Sequence, residues 1–313
     1  MSIIIISASR RTDIPAFYSQ WFIRRIQEGY CTVFNPFNRN QITKISLRPN
    51  DVDIIIFWTK NPKPLVPFLH ELDSSGFQYY FQYTLNGYPI DLEPHVPELR
   101  VRLQSFKELA KIIGADKVIW RYDPIIISNI TGYDFHKKVF QEIAEALKGS
   151  TRRVVISLVD SYRKASFQFK QLAKQGIYIS EEINLSYLED LIRTFVKISR
   201  QNGLEIFSCA ETIDLIPWGV SPGKCIDDQY IEQVFGLKVT SIKDKNQRIE
   251  CGCVQSKDIG IYDTCLHGCK YCYAGTHSAG LKNYEEHQVD SPSLIGRYEA
   301  PTIEIAQPTL FDV

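Results

Sequence analysis

Net charge, long apolar runs and catalytic histidine spacing are all missing from this sequence, and each absence removes a class of function. Thirty-six Lys and Arg residues cancel thirty-six Asp and Glu to a formal charge of +0. No long-range field therefore draws the whole molecule to nucleic acid or to an anionic membrane, and any such binding must come from a local patch. No window approaches the roughly 20 apolar residues of a membrane helix. The opening run Ile3 to Ile6 has no basic residue ahead of it and is too short for a signal-peptide core. We expect no membrane association and a cytoplasmic location, where thiols stay reduced and clustered cysteines favour metal over disulfides. The 6 histidines show no His-x-x-His or triad-like pattern, and none is assigned as a catalyst. Internal repeats and low-complexity tracts are absent too.

What is present is a packed globular chain of 313 residues with 44% hydrophobic content. Short β-branched runs near Ile3–Ser7, Thr32–Phe34, Asp53–Trp58, Phe77–Thr84, Lys117–Arg121, Val154–Val159 and Leu204–Ser208 read as strands. Between them Ala16–Glu28, Pro64–Leu72, Pro97–Ile113, Tyr133–Leu147, Ala165–Lys174 and Leu185–Arg200 carry apolar residues at helical spacing. This βα rhythm predicts an α/β fold with a parallel sheet, a full or partial (βα) barrel, and a doubly wound sheet is the other architecture it permits.

The rhythm stops near Pro217. Residues 1–215 read as the barrel-like body and 216–300 as a cysteine-rich, metal-binding extension packed on the barrel mouth, with a short helix at Asp228–Phe235. Residues 301–313 read as a tail. Just past the strand ends stand Arg10, Arg11 and Asp13, then Lys60, then Arg121 and Asp123, then Glu211. In either architecture those ends face the ligand, which makes the six residues from Arg10 to Asp123 candidate catalytic or substrate-holding groups. Salt bridges that tether the loops are the alternative. Glu211 could grip a ribose or an amine.

Five of the 8 cysteines lie between positions 251 and 272. Cys265, Cys269 and Cys272 have the spacing C-x3-C-x2-C, which can bind three irons of a 4Fe-4S cluster and leave the fourth open, with Tyr271 as an aromatic cover. Structural zinc held by these three plus His267, Cys251 or Cys253 is the competing reading. Cys209, Cys225, Cys251 and Cys253 together make a second candidate site, for another iron-sulfur cluster or for zinc. One of those four could instead close the first cluster. Cys31, on a strand, reads as core.

Cys265, Cys269, Tyr271 and Cys272 resemble the cluster signature of the radical S-adenosylmethionine enzymes. That resemblance implies a βα barrel, S-adenosylmethionine on the open iron, an electron donor, and a 5′-deoxyadenosyl radical that abstracts hydrogen from a substrate. In that superfamily the cysteine loop usually follows the first strand, whereas here it follows the last, and no Gly-Gly-Glu segment is evident. The segments Ser9–Phe17, Phe57–Pro62, Arg121–Ile125 and Asp263–Ala274 together resemble an uncharacterised bacterial family of unknown function over nearly the whole chain. Arg121–Ile125, RYDPI, is also similar to a segment of spore photoproduct lyase and its DNA-repair-photolyase-like relatives, which implies a nucleic-acid substrate. Gln307–Phe311 resembles the peptide by which bacterial replication and repair proteins dock on the sliding clamp. The alternative function is a non-catalytic, metal-stabilised binding protein recruited through that tail.

Overall fold

The central strands are continuous apolar runs, and successive side chains of each go to opposite faces of a sheet buried on both sides. The computed structural model describes residues 4–35, 38–160, 163–180 and 182–300. Its strands are β1 (Ile4–Ala8), β2 (Tyr30–Asn35), β3 (Asn38–Ser46), β4 (Val52–Thr59), β5 (Tyr79–Thr84), β6 (Val118–Ile125), β7 (Arg153–Leu158), β8 (Glu205–Cys209), β9 (Ser221–Gly223) and β10 (Lys257–Asp258). Eight of them form one parallel sheet in the order β10-β1-β4-β5-β6-β7-β8-β9.

The helices are α1 (Ile14–Phe17), α2 (Ser19–Glu28), α3 (Leu69–Ser74), α4 (Leu99–Ile113), α5 (Tyr133–Ala146), α6 (Arg163–Lys174), α7 (Leu185–Gln201), α8 (Asp228–Phe235) and α9 (His277–Tyr284). From β4 to β9 each strand lies beside its predecessor in sequence, so the winding never reverses direction. Right-handed crossovers in one direction put the connecting helices on one face. That face packs Phe57, Phe81, Trp120 and Ile156 against Phe22, Phe106, Phe140 and Phe195 from α2, α4, α5 and α7. The opposite face carries Ile5, Ile54, Ile56, Tyr80, Ile119 and Val155, and it is covered by Cys225 to Ile231 and Cys251 to Val254. Part of that cover is helical, Tyr230 and Ile231 coming from α8, so both faces of the parallel sheet carry helix.

Three sequence expectations change. The strand at Thr32–Phe34 belongs to an antiparallel hairpin with β3 outside the main sheet. β3 has seven exposed or half-exposed residues before Ile45, so hydrophobicity gave no sign of it. The helix expected over Ala16–Glu28 divides at Tyr18, whose φ of -131° leaves the helical region and whose hydroxyl donates to the Thr264 carbonyl at 2.6 Å. The helix expected from Pro64 begins only at Leu69, after a 3-10 turn at Val66–Phe68, because Pro67 has no N–H to donate. The tail with Gln307–Phe311 lies outside the described residues.

His136 on α5 clamps that helix to β6. Its Nε2 faces the Ile126 carbonyl at 2.9 Å, which only accepts, so Nδ1 receives the Tyr122 hydroxyl at 2.7 Å and the ring is neutral. Burial lowers its pKa to about 4. The unfolded chain takes up that proton near pH 6.5 while the native site resists it, so stability falls as pH drops from 6.5 towards 4. We expect His136 to cost about 2 kcal/mol between pH 7 and pH 5. Urea unfolding of His136→Gln should lose that part of the pH slope, and an unchanged slope would refute the assignment.

Candidate functional site

The two-residue period that buries Ile54, Tyr80, Ile119 and Val155 on the face opposite α2, α4, α5 and α7 continues to the strand ends, where the positions of that face turn polar. Trp58 pairs in register with Gln82, Thr84 with Arg121, and Cys209 with Gly223. Beyond them opens a cavity of about 500 Å³ that reaches Ser9 to Asp13, Lys60, Asp123 and Ser157. Seven of the 8 cysteines line it. Cys31 instead lies fully buried in the helix-side core.

The loop carrying Cys265, Cys269 and Cys272 is fixed from several sides. Asp13 is a hub. Its Oδ1 accepts from the N–H of Ala16 at 3.0 Å as the cap of α1, and its Oδ2 accepts from the Lys60 N–H at 2.7 Å and from His267 Nε2 at 2.8 Å. The other ring nitrogen of His267 faces the His95 carbonyl at 3.3 Å, so both nitrogens are turned to oxygen acceptors. This withdraws His267 as the fourth ligand of a zinc site. Tyr271 donates its hydroxyl to Glu93, which also receives Lys60 Nζ at 2.8 Å and Arg102 at 3.4 Å. Although burial opposes it, Lys60 and Arg102 hold Glu93 below the usual carboxylate range. Gly280 of α9 lies so close that an added Cβ would stand 2.6 Å from the Cys265 carbonyl oxygen.

Burial pushes all three loop thiols up, Cys269 to about 12. Lys60 pulls Cys269 and Cys272 back towards the thiolate. Metal charge would reverse that burial effect. Three thiols from one loop, with Tyr271 buried between them and Glu93, are a donor set that suits an iron-sulfur cluster. Among the described residues no three His, Cys, Asp or Glu side chains stand about one point that a single ion could fill. A cluster makes a different demand, since each thiolate takes its own iron.

The second set also assembles. Cys209 and Cys225 have their sulfurs 3.1 Å apart, and Cys253 accepts from the backbone N–H of Cys225 at 3.3 Å. Arg121 Nη1 lies 2.8 Å from the Cys225 sulfur. Its Nε donates to Asp123 at 2.8 Å, and Ser157 closes the other carboxylate oxygen. Although burial opposes it, Asp123 and then Cys225 drive Arg121 well above its ordinary value. Arg10 lies over the Trp58 ring at 5.3 Å, and Arg11 over Tyr262 at 5.1 Å. Glu211 turns back to accept from the Leu158 N–H at 2.8 Å, and burial pushes it up to about 7.

The strand-end rule therefore found the rim but not its wiring. Asp13, Lys60, Arg121 and Asp123 are bound into tethers, whereas Arg10 and Arg11 face the cavity over aromatic rings. Glu93, Arg102 and Asp258 escaped the sequence reading. Asp258 accepts from Ser7, Ser9 and the Arg10 N–H, and it closes a two-residue strand that hydrophobicity cannot signal. Glu93 lies in a loop with no periodic context, and only its burial beside two cations marks it. We expect Glu93→Gln to leave Lys60 and Arg102 with uncompensated buried charge and to cost about 3 kcal/mol. Chemical unfolding would measure it, and a change under about 0.5 kcal/mol would mean the network contributes nothing.

No curated protein matches the chain. Among solved structures, a protein of Bacteroides thetaiotaomicron described as a "putative alpha-L-fucosidase" aligns over 68% of this chain and 75% of its own, at 15% identity and a TM-score of 0.29. So low a score carries no argument about fold or activity. The family model for a domain of unknown function, DUF1848, matches residues 5–274, and the chain belongs to that family.

Proposed function

We propose that this chain is a radical S-adenosylmethionine enzyme of the cytoplasm, its sheet curved into a partial βα barrel with the cysteine loop folded back over the mouth. One observation carries the reading. Cys265, Cys269 and Cys272, from a single short loop, face the cavity at the carboxyl ends of the parallel strands, beside Arg10 and Arg11. Those three thiolates would hold a 4Fe-4S cluster and leave one iron for the cofactor, and the cluster when bound supplies the electron that cleaves S-adenosylmethionine.

The chain's own residues do the rest. Asp13 and Glu93, through His267 and Tyr271, fix the loop so that the sulfurs keep their place when the cavity fills. Tyr271, Tyr88 and Leu92 form a small apolar cluster with Cys269 that keeps water from one side of the site. Arg10 and Arg11 offer guanidinium forks for an anionic group of cofactor or substrate. Nucleic acid is the substrate class we favour, on the resemblance of Arg121–Ile125 to the lyase segment and of Gln307–Phe311 to a clamp-binding peptide.

The number of tethers on the cysteine loop favours one competing account, a metal-stapled binding protein with no reaction to perform. Electron paramagnetic resonance of the anaerobically reduced protein separates the two. A 4Fe-4S signal that changes on adding S-adenosylmethionine, and vanishes when Cys265, Cys269 and Cys272 become Ala, is the expected result. Zinc without iron, or a cluster indifferent to the cofactor, would sink the radical mechanism. A second variant tests the loop's placement: Gly280→Ala drives a methyl group against the Cys265 carbonyl oxygen and should lower iron content several-fold while far-UV circular dichroism stays native. Full iron loading in that variant would show that the close approach of α9 does not position the site.

A further inference from the structure

Four thiols outside the three-cysteine loop meet where the two ends of the sheet approach each other. Cys209 closes β8, Cys225 follows β9, and Cys251 and Cys253 precede β10. No hydrogen bond pairs β9 with β10, yet the chain just beyond and just before them is joined, Val254 donating its N–H to the Ile226 carbonyl at 3.2 Å. Gly223 lets β9 lie close against β8, since a Cβ there would stand 2.8 Å from that of Phe207.

We propose that Cys209, Cys225, Cys251 and Cys253 form a second metal centre, a tetrathiolate with no open position, that holds a zinc ion or an iron-sulfur cluster across the seam of the sheet. Three observations carry it, and none depends on what the other cysteine loop does. The first is ligand number. Four cysteines complete the coordination of tetrahedral zinc, or give one thiolate to each iron of a 4Fe-4S cluster, so a site of this kind binds and stabilises but offers nothing to a substrate.

The second is charge. A tetrathiolate centre of either kind carries net negative charge, and two buried cations are already in place for it. Arg121 Nη1 lies 2.8 Å from the Cys225 sulfur. Arg10 has a buried Nη2 with no hydrogen-bond partner, and its closest carboxylate, Asp244, is 4.0 Å away. Leaving a guanidinium nitrogen buried and unpaired is costly, and an anionic centre at the neighbouring thiols gives it a counter-charge. The third is the surrounding donor set. The backbone N–H groups of Cys225 and Ile226 both point at the Cys253 sulfur, at 3.3 and 3.4 Å, as donors that orient and stabilise a metal-bound thiolate do.

Among the described residues, no three of these thiols share a point that one ion could occupy. The 3.1 Å between Cys209 and Cys225 is shorter than the roughly 3.8 Å edge of a zinc tetrathiolate built on 2.3 Å bonds. Loading therefore spreads that pair and brings Cys251 and Cys253 round by side-chain rotation.

Metal analysis of the full chain in which Cys265, Cys269 and Cys272 are all Ala tests the proposal. That variant should keep about one zinc or about four irons per chain, with X-ray absorption showing sulfur-only protein coordination, and the zinc and iron edges tell the two forms apart. Adding Cys251→Ser and Cys253→Ser should remove the metal. A triple variant that is natively folded by circular dichroism but metal-free would overturn the proposal. So would oxygen or nitrogen coordination of whatever metal remains, which decides the matter even where the five-fold variant does not fold. The response to S-adenosylmethionine belongs to the three-cysteine loop and is lost in the triple variant in every case, so the two readings stand or fall separately.

Discussion

The carboxylate of Asp13 joins three parts of the chain that sequence keeps far apart. It caps α1 through Ala16, takes the Lys60 N–H at the end of β4, and receives His267 from the middle of the cysteine loop. A buried carboxylate with three donors is stable only while all three stay, because losing one leaves a desolvated acceptor unsatisfied. The positions of the first βα turn, the end of β4 and the cysteine loop are therefore one geometric fact. The same logic repeats at Glu93, where Tyr271, Lys60 and Arg102 converge in a core with almost no access to water. Two buried carboxylates thus hold the cysteine loop, one through His267 and one through Tyr271, and Lys60 touches both, by its N–H and its ammonium.

That arrangement reassigns residues that a sequence reading ranks by position alone. Arginines, lysines and aspartates abutting apolar strands signal a rim, and the rim is there. Position does not reveal which of them are consumed in holding it together. Asp123 is bound by Arg121 and Ser157, and Lys60 by Glu93, so their charge is already answered within the protein. The guanidinium groups of Arg10 and Arg11 are different, because they lie over aromatic rings at 5.3 and 5.1 Å, and that of Arg10 meets carboxylate oxygen only at 4.0 Å.

The parallel sheet was legible because its central strands are buried on both faces and read as continuous apolar runs. β4, β5, β6 and β7 all lie where periodicity put them to within a few residues. What escaped were elements whose stability comes from elsewhere. β9 and β10 have three and two residues and exist because the sheet edge offers them hydrogen bonds. β3 is held by its hairpin partner, with most of its side chains in solvent. α9 has a weak apolar face and is fixed by the Thr276 cap and by its packing on the Cys265 loop through Gly280. The cysteines announced themselves by spacing, which is a local property. Their convergence from β8, β9 and the approach to β10 depends on topology, and no window of sequence contains it.

Topology also explains why the cysteine-rich segment cannot be regarded as an ornament on a finished sheet. Residues after Pro217 supply both outer strands of the sheet and the apolar cover of its face opposite α2, α4, α5 and α7, Ile226, Tyr230, Ile231 and Val254. An exposed parallel edge is a row of unpaired donors and acceptors, and a bare face of Ile and Tyr is an aggregation surface. The same stretch of chain that blunts both edges and covers that face also delivers six of the seven cavity cysteines, all but Cys209. Folding of the body and assembly of the thiol sites are therefore coupled events. Any metal that binds the native thiols and not the unfolded chain adds its binding free energy to the stability of the whole sheet, not of the extension alone.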